Sequence, residues 1–134
     1  MVRPILTHHT PAGICPPFAN YSHGVEVAPG ARFVFCSGQL GIDPEKDIPP
    51  GIEDQTRLCF ENIGAILGSA GMGLGDIVRL NAFVIDRSYL AGYMAVRDQY
   101  VADPPPASTL VIASGFARPE FLIEIEAITA RIVD

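Results

Sequence analysis

The segment LIEIEAITA near the C-terminus constrains the fold more than any other stretch of this sequence. Its residues alternate in polarity, which is typical of a β-strand whose successive side chains point to opposite faces. One face takes Leu122, Glu124, Glu126 and Ile128, and the other takes the three apolar residues between them. An unpaired carboxylate is costly in an apolar layer, so the two glutamates must be solvated, paired, protonated or functional.

Length and composition predict one domain over residues 1–134. The chain has 134 residues, of which 49% are apolar and 18% are charged, so it can bury a sizeable core. Its apolar runs fall far short of the roughly 20 residues that a membrane-spanning helix needs, and the first residues contain no apolar signal core. We therefore expect a cytoplasmic protein that has no membrane partner.

The charge balance argues against nucleic acid as a partner. Nine Lys and Arg residues stand against 15 Asp and Glu residues, which gives a net charge of −6, and no basic run is present. Such a chain repels phosphate backbones. The mean hydropathy of +0.28 is high for a soluble chain of this size, which suggests that other subunits cover part of its apolar surface. A homo-oligomer is predicted.

The cysteines and the adjacent histidines give no metal-site pattern. Cys15, Cys36 and Cys59 are odd in number and widely spaced, which favours reduced, buried thiols over disulfides or a zinc site. His8 and His9 have no further ligands at metal-binding spacing, so we expect them to be solvated. No metal is predicted.

The N-terminal half contains two short strand-like runs. Residues 1–17 show no periodicity and predict an irregular arm. The runs VEVA and RFVFCS are separated by Pro29-Gly30, which predicts a β-hairpin. Gly38, close to the end of the second run, indicates a bulge or a close approach of the backbone to another group.

Helix and strand patterns alternate through the remainder of the chain. Apolar residues at helical spacing predict a helix from Glu53 to Ala70. The later segments are a strand over 77–85, a helix from 86 to about 102 that prolines terminate, and two strands over 108–113 and 121–132. The order ββαβαββ predicts an α+β fold with one sheet and both helices on one face.

Three blocks together resemble the YjgF/RidA family, also called endoribonuclease L-PSP. They are YSHG (21–24), FCSGQLGID (35–43) and PPAST…LIEIEAITA (105–130), and the resemblance covers nearly all of the chain after residue 17. It implies a chorismate-mutase-like fold and a homotrimer with three clefts between subunits. It also implies cofactor-free hydrolysis of reactive enamines and imines, such as 2-aminoacrylate, to keto acids and ammonia.

The resemblance assigns candidate residues to the cleft. Tyr21, Ser37, Gly38, Thr109 and Glu124 fall at the family's cleft positions. Glu124 would act as the base that deprotonates water, and the Gly38 amide would meet a substrate oxygen. A structural reading stays open for each: a glutamate bonded to interface amides, an aromatic lid on the core at Tyr21, and an ordinary strand threonine.

One departure from the family pattern affects substrate binding. The archetypal members have Pro-Ala-Arg-Ser before the penultimate strand, and Ala107 stands where the arginine that holds the substrate carboxylate is expected. A methyl group cannot replace a bidentate guanidinium, so binding of a simple 2-imino acid should weaken. Arg97 on the second helix could supply the missing charge, or it could face solvent and pair with Asp98. Arg118 is a weaker candidate.

The sequence therefore predicts an imine or enamine deaminase that does not favour simple 2-aminoacrylate. The alternative is a non-catalytic trimer that binds a small ligand between subunits in a regulatory role. Glu126 is expected to be structural, and His23 is expected to be a surface or capping histidine. RNA cleavage is disfavoured by the net charge.

Overall fold

The computed structural model describes residues 4–132. Six strands and two α-helices follow one another along the chain, with short 3-10 helices at Leu74–Asp76 and Arg87–Tyr89. In chain order they are β1 (Leu6–His9), β2 (Gly24–Val27), β3 (Arg32–Leu40), α1 (Ile52–Ser69), β4 (Ile77–Val84), α2 (Leu90–Tyr100), β5 (Ala107–Ile112) and β6 (Ile123–Arg131).

Four of the strands form the main sheet, in the order β3-β6-β4-β5. Strand β6 lies between β3 and β4 and is antiparallel to both, whereas β4 and β5 are parallel. The connection between the parallel pair contains α2, as parallel strands require a crossover rather than a tight turn. The α+β, chorismate-mutase-like fold predicted from the sequence is confirmed.

The two helices cover one face of the main sheet, where the core lies. Strand β6 shows the expected alternation: Ile123 and Ile125 are fully buried, whereas Glu124 and Glu126 on the other face are partly exposed. The core residues come from both layers: Cys59, Phe60, Ile63 and Leu67 of α1, Leu80, Ala82 and Val84 of β4, Tyr93 of α2, and Ile123 and Ile125 of β6.

Helix α1 has nearly the predicted bounds. It begins after Gly51 and ends at Ser69. Gly71 takes a φ of +73°, a left-handed conformation that favours glycine, and the Met72 amide donates a hydrogen bond to the Leu67 carbonyl at 2.8 Å. The glycine therefore stops the helix as expected.

The predicted hairpin between VEVA and RFVFCS is wrong. Strand β2 pairs with β1, and β3 pairs with β6 in the main sheet. Gly30 does make a turn, with a φ of +87°, but the turn carries the chain from the small β1-β2 sheet into the main sheet. Local turn residues specify a change of direction and not which strand the chain meets afterwards, so long-range pairing with β6 decided the outcome.

Two further differences concern the N-terminal residues. The arm expected to be irregular contains strand β1, whose pairing with β2 could not be read from local periodicity. Among the cysteines, Cys36 and Cys59 are buried as expected, but Cys15 is exposed. No helix in the described part of the chain is long and apolar enough to cross a bilayer.

The helices leave the second face of the main sheet uncovered, and we call it the open face. It combines large apolar side chains with polar ones. From edge to edge it presents Phe33 and Phe35 of β3, Glu124, Glu126 and Ile128 of β6, Arg79, Asn81 and Phe83 of β4, and Thr109 and Val111 of β5.

Candidate functional site

The Glu124 side chain lies directly against the backbone of Gly38. A Cβ atom built on Gly38 would come within 2.6 Å of both Cδ and Oε1 of Glu124. That distance is far shorter than an ordinary nonbonded contact, so a side chain at position 38 would displace the carboxylate. The close approach expected at Gly38 is therefore present, and the group that approaches is the candidate base.

A bulge in β3 makes this approach possible. The pairing of β3 with β6 shifts register between Cys36 and Gln39, so Ser37 and Gly38 together oppose a single β6 residue. A bulge removes its extra residue from the regular ladder and redirects the local backbone, and bulges are frequent beside active sites. Ser37 is exposed here, and its carbonyl accepts a hydrogen bond from Gln39 Nε2 at 3.1 Å.

A cavity of about 480 Å³ lies at the opposite edge of the main sheet, between β5, α2 and the segment before β2. Its walls are mainly apolar. Three of the residues predicted from the sequence line it, namely Tyr21, Arg97 and Thr109. The other lining residues are Phe18, Ala19, Leu90, Met94, Ser108 and Leu110.

Arg97 is the charged group of this cavity. It is only 5% exposed, and its Nε and Nη2 both donate to Asp98 Oδ1, at 3.2 and 3.1 Å. Its guanidinium also lies 5.5 Å from the centroid of the Tyr93 ring. Burial raises the pKa of the Tyr93 hydroxyl, and the nearby positive charge of Arg97 partly offsets this rise. Arg97 thus pairs with Asp98 and lines the cavity, but it does not face solvent as the alternative expectation had it.

Ala107 begins β5 and lies beside Arg79 of β4 in the parallel register. Arg79 Nη2 donates to Thr109 Oγ1 at 2.5 Å, and Nε donates to Asn81 Oδ1 at 3.0 Å. The Asn81 amide in turn donates to Glu126 Oε1 at 3.0 Å, a contact of the kind that a structural role for Glu126 requires. Arg79 was not among the residues predicted from the sequence. The alternation of polar and apolar residues in IVRLNAFVI nevertheless places Arg79 and Asn81 on the same face of the strand.

Within one chain the candidate residues form two separate groups. Glu124, Gly38 and Ser37 lie towards β3, and Tyr21, Arg97 and Thr109 lie at the β5 edge. Glu124 and Thr109 share the open face but are separated by β4, and two strand spacings correspond to about 10 Å. A single small ligand could not contact both groups fully in an isolated chain.

The remaining candidates make contacts outside this region. The ring Nε2 of His23 donates to a backbone carbonyl, which fits the capping role expected for it. The hydrogen-bonded pairs of these candidates are His23 with the Cys15 carbonyl (2.7 Å), His8 with Ser22 (3.0 Å), His9 with Glu26 (2.8 Å) and Arg118 with Glu120 (2.6 Å).

Proteins of known structure share this fold. Two solved structures align well with the chain: Rid-family YyfB from Yersinia pestis has a TM-score of 0.80 and 29% identity, covering 95% of this chain and 99% of that one. Escherichia coli TdcF with bound serine has a TM-score of 0.70 and 32% identity, covering 86% of this chain and 91% of that one.

Sequence comparison agrees with the structural one. The chain is 36% identical over 130 residues to the RutC family protein PH0854 of Pyrococcus horikoshii, covering 96% of this chain and 97% of that protein. It is 30% identical over 135 residues to the 2-iminobutanoate/2-iminopropanoate deaminase of Escherichia coli K12, covering 98% and 99% of the two chains. The family model described as endoribonuclease L-PSP matches residues 13–131. The chain belongs to this family, the YjgF/RidA family.

Proposed function

We propose that this protein hydrolyses the C=N bond of a reactive imine, or of the imine tautomer of an enamine, to a carbonyl compound and ammonia. The observation that carries the proposal is the Glu124 carboxylate packed against Gly38 at the bulge of β3. The deaminase name of the relative from Escherichia coli supports the same class of reaction. No cofactor is part of the proposed chemistry.

The chemistry needs one base and one fixed donor. Glu124 removes a proton from water while the oxygen attacks the C=N carbon, and the C=N pair of electrons moves to nitrogen, which is protonated. The resulting carbinolamine collapses when its hydroxyl proton is lost and the amine leaves as ammonia. In this proposal the Gly38 amide stabilises the developing charge on oxygen. Glu124 can carry both protons to the nitrogen in turn, first the one taken from water during attack and then the one taken from the hydroxyl during collapse, so the carboxylate is regenerated.

We propose further that the site is a cleft between subunits of a homotrimer. Two observations support this: the candidate residues form two groups about 10 Å apart within one chain, and the open face exposes large apolar side chains. Phe33 is 50% exposed and Phe35 is 72% exposed there. Apolar surface of this kind is typical of interfaces between subunits. A neighbouring subunit would bring a second set of candidate residues to each group.

The preferred substrate is proposed to be larger than 2-aminoacrylate. The cavity at the β5 edge has apolar walls that include Phe18, Leu90 and Met94, and its volume of about 480 Å³ exceeds the needs of a three-carbon molecule. A substrate with a branched or aromatic side chain would bury more apolar surface against these residues. We therefore expect imines derived from leucine or phenylalanine to react faster than 2-aminoacrylate.

Ammonia release tests the proposal. The imines are generated in situ, 2-aminoacrylate by a pyridoxal-phosphate-dependent dehydratase and the larger imines by an amino-acid oxidase. Wild-type protein should accelerate their hydrolysis, and Glu124→Gln should lower turnover at least about 100-fold, since general-base catalysis contributes roughly 10²–10⁴-fold. Glu61→Gln is the matched control, because Glu61 is an exposed carboxylate of α1 that belongs to neither group of candidate residues. It should retain turnover within a few-fold.

Two rival functions remain, a non-catalytic ligand-binding protein and an RNA-cleaving enzyme. A non-catalytic ligand-binding protein would release no ammonia above the uncatalysed rate with any imine, and Glu124→Gln would change affinity alone. RNA cleavage, which the family description suggests, would require attraction to phosphates despite the net charge of −6. Absence of acceleration by wild-type protein across the imine series would refute the hydrolase proposal.

A further inference from the structure

Arg79 is a cation of the open face that is held by neutral groups. Its Nε donates to the side-chain oxygen Oδ1 of Asn81, and its Nη2 donates to the Thr109 hydroxyl. Arg57, Arg97, Arg118 and Arg131 each pair with a carboxylate. Within residues 4–132, in contrast, no carboxylate oxygen lies within 4.0 Å of the Arg79 guanidinium. A partly buried guanidinium has lost some of its hydration, and a carboxylate partner normally offsets that free-energy cost. Without such a partner, the guanidinium attracts an anion.

The contacts of Arg79 fix its guanidinium in place. Asn81 is itself oriented by Glu126, so the amide that accepts from Arg79 Nε cannot turn freely. The remaining guanidinium nitrogen, Nη1, makes no hydrogen bond within the described residues. A planar guanidinium that is held on one side and free on the other is preorganised to bind a carboxylate.

The position of Arg79 also matters. It is the cross-strand neighbour of Ala107, and adjacent strands lie about 4.8 Å apart with paired side chains on the same face. Its side chain extends over β5 to Thr109, two residues beyond Ala107. The guanidinium therefore occupies the part of the open face that a long side chain at position 107 would occupy.

Arg97 is placed less well for the same task. It belongs to α2, which packs against the opposite face of the sheet from Glu124, and two of its nitrogens bond to Asp98. Its positive charge is therefore largely compensated by a carboxylate within the fold. Arg79, in contrast, shares the open face with Glu124.

We propose that Arg79 binds the carboxylate of the ligand, with the Thr109 hydroxyl beside it. The ligand class is a small organic monocarboxylate with an apolar body, such as a 2-imino acid or the 2-oxo acid that its hydrolysis yields. The inference rests on the proposed function, since that function defines the site. The absence of an arginine at position 107 led us to expect weak binding of 2-imino acids. In this proposal Arg79 of the neighbouring strand supplies the cationic partner of the ligand carboxylate instead.

Calorimetric binding of a stable product analogue tests this without turnover. The probes are 2-oxo-4-methylpentanoate and its uncharged methyl ester. Wild-type protein should bind the acid more tightly than the ester, and Arg79→Gln should weaken acid binding by roughly 10- to 100-fold while leaving the ester unchanged. Arg79→Lys keeps the charge but loses the planar fork, so its acid affinity should fall between the two. Arg87→Gln, an exposed arginine in the 3-10 turn before α2, is the matched control and should bind like wild type.

Each outcome decides the inference. It is overturned if wild-type protein binds the acid no better than the ester, or if Arg79→Gln and Arg79→Lys both retain wild-type acid affinity. Loss of acid selectivity in Arg97→Gln alone would assign the carboxylate to the cavity arginine instead. Circular dichroism and particle mass confirm that each variant is folded. Arg79-dependent acid binding without ammonia release would retain the inference and refute the hydrolase proposal, so the two failures are distinguishable.

Discussion

At the scale of single residues, the bulge that brings Gly38 to Glu124 also covers a buried thiol. Cys59 on α1 is fully buried, and its Sγ donates to the Gln39 carbonyl at 3.1 Å. Burial raises the pKa of the Cys59 thiol to about 12, and the negative charge of Glu124 adds to the rise. Cys59 is therefore a neutral packing residue beneath the candidate site at physiological pH.

Because of this raised pKa, the stability of the protein should decline as the pH becomes alkaline. An unfolded cysteine releases its proton near pH 8.5–9, whereas folded Cys59 keeps its proton up to about pH 12. The Cys59 contribution to the free energy of unfolding is thus fully present below about pH 8.5 and is lost as the pH rises, by up to about 1.4 kcal/mol per pH unit.

Denaturant unfolding at a series of pH values from about 7.5 to about 10 measures this loss. Other groups also titrate in the range, so the decisive quantity is the difference between wild type and Cys59→Ala. The variant should be less stable at neutral pH because of the cavity it creates, but its stability should decline less steeply. Equal slopes for the two proteins would contradict the assignment.

At the scale of elements, Gln55 joins three segments near the start of α1. Its Nε2 donates to the Pro49 carbonyl at 2.8 Å and to the Glu120 carbonyl at 2.9 Å, and its Oε1 accepts from the Leu122 amide at 2.9 Å. Gln55 is fully buried, so its own side-chain amide cannot bond to water instead. The side chain thereby fixes the loop before α1 and the start of β6, the strand that carries Glu124.

Replacing this glutamine should be costly for the whole domain. Gln55→Leu removes all three hydrogen bonds from a fully buried position, and we expect the free energy of unfolding to fall by about 2–4 kcal/mol. Gln99→Leu is the control, because Gln99 is exposed and only accepts a bond from Arg57; its effect should stay within about 0.5 kcal/mol. Urea unfolding compares them, and a Gln55→Leu effect as small as the control would remove this role.

Periodicity predicted the elements better than it predicted their partners. The apolar spacing of α1 and the alternation in β4 and β6 define those elements within one or two residues, because burial of one face determines them locally. The pairing of β2 with β1 and the register that sets Arg79 beside Ala107 depend on contacts distant in sequence. For that reason the bulge at Gly38 was predictable and Arg79 was missed.

At the scale of the whole molecule, the exposed apolar side chains of the open face are the reason for the proposed assembly. Phe33, Phe35 and Val111 are 50%, 72% and 43% exposed on it. Phe33 and Phe35 lie side by side, with ring centroids 6.3 Å apart, at the β3 edge. Association that covers this face would stabilise the protein through apolar burial, and a head-to-tail ring of three copies would set different edges of neighbouring subunits against each other.

Particle mass measured together with ammonia release tests most directly whether a second copy of the chain completes the site. By light scattering at micromolar concentration, wild-type protein should have three times the mass of one chain. Phe35→Glu places a charge on the open face, so it should give a smaller particle and lower turnover at least about 10-fold. Ile14→Glu, at a residue 51% exposed in the segment before β2, should change neither. A wild-type monomer, or a monomeric Phe35→Glu variant with full turnover, would contradict the account.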